Sequence, residues 1–372
     1  MTSKERMRRA MSGEKPDRVP LMCQISLGHI YKYANISPEE YWYTSKGMAE
    51  GYIRLADRYH FDGILMNVLG INPDIRTRIK SVEKINDGHI ITWDNGSKTI
   101  CPSNDDPRPV EIIPSQNRNP LISEIDIDSI KVIDSPSGLP PYILDIVDYV
   151  MEHRGDTLSI HGEIGTVFER FLELIGSLAD GLMAMLDDPD KCKKILELMN
   201  QEVIAYAHAQ CSRGVDAFKL SSPYVGAGFI SRDMYEEFIL PYERDLVSAV
   251  HDNYGIPCYI HTCGAIGDRL DLMLQTGTDG LECLDPPPLG TVDLEQAINN
   301  IGDKIFIKGN LDSVNELLGH SPQDVKEIAR KRIELGKKAK GFILSSACSV
   351  SPLVPSENID ALYDAVEEYG KY

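Results

Sequence analysis

The 372-residue chain is 42% hydrophobic and 26% charged, a composition that can bury a large core and reads as globular and soluble. Its formal charge of −19 at pH 7 repels polyanions, which excludes nucleic acid and anionic membranes as expected partners. No apolar run approaches the roughly 20 residues that span a bilayer. The basic N-terminus lacks a following signal-peptide apolar segment, so a cytoplasmic compartment is expected.

Residues 3–12 carry Met7, Ala10 and Met11 at helical spacing and stop at "GEKPD", predicting an N-terminal helical extension. "RVPLMCQISLG" predicts a buried strand over 19–26, and "DGILMNV" a second over 62–68. Residues 86–118 then alternate apolar and polar around Asn95-Gly96. That dipeptide predicts an antiparallel hairpin, inserted after the second strand and capping the mouth of the fold. Six more strands are expected over 157–161, 216–221, 256–261, 279–284, 304–308 and 341–346. Amphipathic helices are expected over 166–186, 188–212, 231–253 and 322–339. Eight strands alternating with helices predict an α/β protein, a (β/α)8 TIM barrel forming one domain over 1–372, ahead of an open doubly wound sheet.

In a barrel the C-terminal strand ends converge on one mouth. His261 and Cys263 end the fifth strand in "YIHTCGAIGD", Glu282 and Cys283 lie near the end of the sixth, and Cys348 follows the eighth. Imidazole and thiolate suit tetrahedral Zn2+. His-x-Cys alone reads more simply as two packed side chains, since isolated cysteines are usually small apolar fillers; Cys348 at another strand end tips the balance toward metal. Glu282 would leave an exchangeable position and Cys283 a closed Cys3His shell. Strand alternation predicts that only one of the two faces inward, with Cys283 expected to pack against the helices. Gln24, Asn67, His161, Ser221, Tyr224 and Asn310 are further polar groups of the mouth, and Asn67, His161, Tyr224 and Asn310 are the candidates for substrate contact. The eight cysteines are expected to be reduced. No phosphate-cradling glycine motif or nucleophile elbow is present.

"KERMRRAMSGEKPDRVP", "SRDMYEEFILPYERDLVSAV", "IHTCGAIGD" and "IKGNLDS" resemble landmarks of the uroporphyrinogen decarboxylase superfamily, in the same order over nearly the whole chain. The resemblance implies a (β/α)8 barrel and one of two activities. The decarboxylases are metal-free and carry an arginine-rich "RQAGR"-type stretch after the first strand; here that stretch is "LMCQISLGH", without arginine. The zinc methyltransferases of the superfamily carry His-x-Cys and a later Cys, matched by His261, Cys263 and Cys348. An acidic residue between the two cysteines completes their zinc shell, and Glu282 is the best match. The resemblance therefore implies a zinc-dependent methyltransferase moving a methyl group between a corrinoid (cobalamin) protein and a small thiol or methyl ether. The alternative is decarboxylation of a porphyrinogen-like polyacid.

Overall fold

The computed structural model describes residues 1–111 and 118–372. Its centre is a seven-stranded parallel sheet: β1 (Gly63–Leu65), β6 (Ser159–Gly165), β7 (Ala217–Ser221), β8 (Cys258–Thr262), β9 (Gly280–Cys283), β10 (Phe306–Leu311) and β11 (Gly341–Ser346), neighbours in that order. The intervening β2 (Ile79–Ile85), β3 (Gly88–Trp93), β4 (Lys98–Cys101) and β5 (Arg108–Pro109) form a separate antiparallel sheet. Apolar, β-branched runs such as "FILSS" account for the central strands, which are buried on both faces as parallel strands flanked by helices must be.

The expected first strand, 19–26, is an irregular segment that touches both edges of the sheet. On one side Met22 N–H donates to Leu344 O at 3.0 Å and Val350 N–H to Gln24 O at 2.9 Å; on the other Asp62 N–H donates to Leu21 O at 2.8 Å. Pro20 has no N–H to give a ladder. The sheet curls into a TIM-barrel-like arrangement.

The N-terminal helix Ser3–Ser12 forms as expected, capped by the Thr2 side chain and by Gly13 at φ 80°. Met7, Ala10 and Met11 pack with Leu65, Ala217, Tyr259, Phe306 and Ile343 inside the barrel, so the helix plugs the floor. Two expected helices are each split. Gly176, left-handed at φ 98°, ends Val167–Ile175 before Ser177 caps Leu178–Asp187. Pro241 near the start of Leu240–Tyr254 separates it from Arg232–Phe238, because its ring removes a helical donor.

The insertion is larger than a hairpin. β3 and β4 pair around Asn95-Gly96 as expected, but β2 and β5 extend them to four strands. The insertion thus begins at Ile79, not 86, and residues 112–117 of the expected range lie outside the described residues. β2 escapes a period-two reading because Ile79, Val82 and Ile85 fall three apart and its other residues are Lys, Glu and Ser. The loop after β4 reaches the rim: Asp105 and Pro352 both border Gly28 closely enough to crowd a Cβ there. Among the described residues no helix is long and apolar enough to cross a membrane.

Candidate metal centre

His261, Glu282 and Lys308 stand in register across β8, β9 and β10, so their side chains share the inner face of the barrel. His261 Nδ1 lies 3.0 Å from Glu282 Oε2, and its other nitrogen, Nε2, lies 3.1 Å from Cys263 Sγ. Cys263 Sγ is in turn 3.4 Å from Cys348 Sγ, which arrives in the loop after β11. Gly264, left-handed at φ 78° directly after Cys263, turns the chain away, and its N–H is fixed by Asp285 Oδ2 at 2.7 Å. All eight cysteines are free thiols.

Both members of the Glu282–Cys283 pair face the site, against the expectation from alternation. Cys283 has φ 82° and Leu284 φ 56°. This left-handed backbone, uncommon outside glycine, breaks the pleat and swings the second side chain round. The donor atoms of His261, Cys263 and Cys283 consequently lie within 4.8 Å of one another.

Glu282 sits behind His261, on the side away from the thiols. Its Oε1 accepts from Lys308 Nζ, and Lys219 Nζ lies 3.2 Å from Oε2. Both lysines are fully buried. Lys219 also lies 3.1 Å from Glu163 Oε2 and donates to Gln24 Oε1 at 3.0 Å. Burial alone would raise the Glu282 carboxyl, but Lys219 and Lys308 hold it well below the usual carboxylate range. Lys219, against its own burial, is carried up to about 12 by Glu163 and Glu282. Sequence reading missed both lysines, although a lysine amid apolar strand residues in "DAFKLS" and "KIFIKGN" is itself a signal, since an unpaired charge is not buried.

The thiols are unequal. Hydrogen bonds from Cys283 and Cys348 hold the Cys263 thiol far below its ordinary value. The Cys348 thiol is raised by its bond to Cys263 and by burial, and the Cys283 thiol by burial first. His261, against its burial and the Lys219 charge, is carried up to about 9 by its bonds to Cys263 and Glu282, so the cluster holds protons where a cation would replace them.

The remaining sequence candidates scatter. Tyr224 is exposed in the loop after β7, edge-on to Phe229 at 5.8 Å. Asn67, past the end of β1, accepts from Tyr52 OH and borders a small cavity with Gln24 and Cys23. Asn310 is fully buried, donates to Leu284 O at 2.8 Å, and leaves its Oδ1 without a partner. His161 lies deep in the barrel: β6 continues four residues beyond it, and its ring bonds Ser159 Oγ at 3.0 Å and Tyr259 OH at 2.9 Å. Burial lowers it to about 3, a neutral core histidine.

The donor set fits zinc. A tetrahedral site with Zn–S near 2.3 Å separates sulfurs by about 3.8 Å, so Cys263 and Cys348 at 3.4 Å need open only by a few tenths of an ångström. Glu282 on Nδ1 leaves Nε2 for the metal, the carboxylate–histidine arrangement that fixes tautomer and ring orientation.

Over its whole length the chain is similar to the methylcobamide:CoM methyltransferase MtbA of Methanosarcina acetivorans, at 24% identity over 99% of this chain and 98% of the relative, and to that of Methanosarcina mazei at the same identity and coverage. Uroporphyrinogen decarboxylase from Alkalilimnicola ehrlichii matches at 29% identity over 67% of this chain and 68% of its own. Among solved structures, a methyltransferase from Methanosarcina mazei superposes with a TM-score of 0.73 at 18% identity, covering 99% of both chains, which places the fold. The uroporphyrinogen decarboxylase (URO-D) family model matches residues 109–369, and the chain belongs to that family.

Proposed function

We propose that this chain is a zinc-dependent methyltransferase that moves a methyl group between a corrinoid protein and a small thiol or methyl ether. One observation carries the reading: at the barrel mouth Cys263 Sγ lies 3.1 Å from His261 Nε2 on one side and 3.4 Å from Cys348 Sγ, in the loop after β11, on the other. The full-length similarity to two methylcobamide:CoM methyltransferases supports it. In the same reading the chain is one domain, a (β/α)8 barrel whose eighth member is the segment 19–26.

His261 Nε2, Cys263 and Cys348 would hold the metal, leaving one tetrahedral corner. Zinc bound there supplies Lewis acidity, lowering the pKa of an incoming thiol or polarising a methyl–oxygen bond. The protein's own part is to fix the shell. Glu282 orients His261, and Lys219 and Lys308 keep Glu282 ionised and in place. Tyr224, Asn310 and Asn67 are proposed to line the substrate's approach. The decarboxylase alternative needs cations free for substrate carboxylates. The buried cations beside this site, Lys219 and Lys308, are instead paired with Glu163 and Glu282.

Freshly purified protein should contain about one Zn2+ per chain and transfer methyl groups between free cobalamin and members of a panel of thiols and methyl ethers. Cys263→Ala and Cys348→Ala should lose most of the zinc while staying folded. Undiminished zinc in both variants, or metal-free protein that decarboxylates a porphyrinogen, defeats the reading.

A further inference from the structure

Resting on the zinc reading above, we infer that the fourth donor to the metal in this chain is Cys283, and that Glu282 is a positioning residue for His261 instead of a ligand.

The geometry separates the two adjacent residues. Both Glu282 oxygens are engaged away from the thiols: Oε1 is held by Lys308, and Oε2 is shared between His261 Nδ1 at 3.0 Å and Lys219 at 3.2 Å. Metal at His261 lies on the opposite ring nitrogen, beside Cys263. To reach it, Glu282 would have to cross the imidazole and abandon two fully buried ammonium groups, leaving them short of countercharge in a medium that penalises it heavily. Cys283 needs no such journey. Its sulfur already lies within 4.8 Å of both His261 and Cys263 donor atoms.

The backbone supplies the second observation. A cysteine at φ 82° followed by a leucine at φ 56° is strained, and two consecutive β-carbon-bearing residues in this region persist only where the surroundings impose them. In a regular strand Cys283 would point away from Glu282, toward the helices. The left-handed turn brings its thiol into the cluster. With Cys283 in the fourth position, substrate would enter as a fifth ligand or by displacing one sulfur.

The test is zinc X-ray absorption on the zinc-loaded wild-type protein without substrate. Three sulfurs and one nitrogen around zinc are expected; two sulfurs with nitrogen and oxygen would overturn the inference. Cys283→Ser should lower the sulfur count to two, and an unchanged count would equally overturn it. Glu282→Gln combined with Lys308→Met, which removes one anion with one cation, should keep three sulfurs while weakening zinc binding by about 10–100-fold, the usual effect of losing a partner behind a ligand. Unaltered affinity there would remove the positioning role. Should the wild-type protein bind no zinc at all, the zinc reading itself fails, a result distinct from a two-sulfur shell.

Discussion

Glu169 illustrates how single side chains at the mouth are tuned. Its carboxylate folds back over the end of β6, so closely that a Cβ added at Gly165 would meet its Oε2 at 1.9 Å. Burial and the nearby Glu163 charge push it up to about 7. The folded state then keeps a proton that the unfolded chain releases, so this group's contribution to stability falls as pH rises from about 4.5 to 7. Partial exposure limits the effect to about 1–2 kcal/mol. Glu169→Gln should raise stability by that amount at pH 8 and leave it unchanged at pH 4.5, as read by urea unfolding; an equal change at both pH values would point to packing instead. The Glu282 network makes a different prediction. Glu282→Gln leaves Lys219 and Lys308 buried with one fewer anion and should cost about 3–5 kcal/mol. Adding Lys308→Met should recover part of that loss, because the two side chains touch and their effects are coupled. A double variant as unstable as the sum of its parts would show that the pair is not coupled.

The insertion sheet is lightly tied to the barrel. Five of the seven β2 residues are exposed, and the sheet's main anchors are Ile91, Cys101 and Trp93, the last edge-on to Tyr43 at 5.0 Å. Replacing residues 79–109 with a short linker should therefore leave the barrel's far-UV signature intact and lower Tm by only a few degrees, since few core contacts are lost. Methyl transfer from a corrinoid protein should fall more than transfer from free cobalamin, because the loop at Asp105 reaches the rim. Wholesale unfolding would show that the sheet is part of the core. This element also marks the limit of what the sequence discloses. The apolar central strands and Asn95-Gly96 were legible because burial and turn chemistry leave local signatures. β2 was not, its pairing being decided by β3 across a turn. His261, Cys263 and Cys348 could be singled out by strand-end position. The placement of Cys283 beside Glu282 could not, because it depends on two backbone torsions that no residue preference encodes. Nor does strand position reveal that β6 runs four residues past His161, which puts that histidine in the core.

At the scale of the molecule, the two ends of the barrel carry different burdens. Barrel floors generally hold stability and barrel mouths chemistry. Here the floor is closed by the N-terminal helix and bolted by Asp62, fully buried between Arg6 Nη1 at 2.6 Å, Arg18 Nη1 at 2.8 Å and the Leu21 N–H at 2.8 Å. That one carboxylate joins the N-terminal helix, the irregular segment 19–26 and the start of β1. The thiol cluster at the opposite end adds no comparable tie between distant elements beyond the loop carrying Cys348. Two perturbations should therefore have opposite signatures. Asp62→Asn leaves Arg6 and Arg18 with only their outer partners Asp17 and Glu367 and should cost about 3 kcal/mol, while zinc affinity per folded chain stays within about twofold of wild type, a difference worth only about 0.4 kcal/mol. Removing zinc with a chelator should leave the circular dichroism unchanged and lower stability only by the binding free energy, about 4 kcal/mol at a free zinc concentration a thousandfold above Kd and falling logarithmically below it. Calorimetry of wild-type and Asp62→Asn protein, each with and without zinc, gives all four corners of the comparison. The two ends are independent if zinc raises Tm by the same increment in both proteins. A much smaller increment in Asp62→Asn would show that the floor and the metal centre are coupled through the barrel.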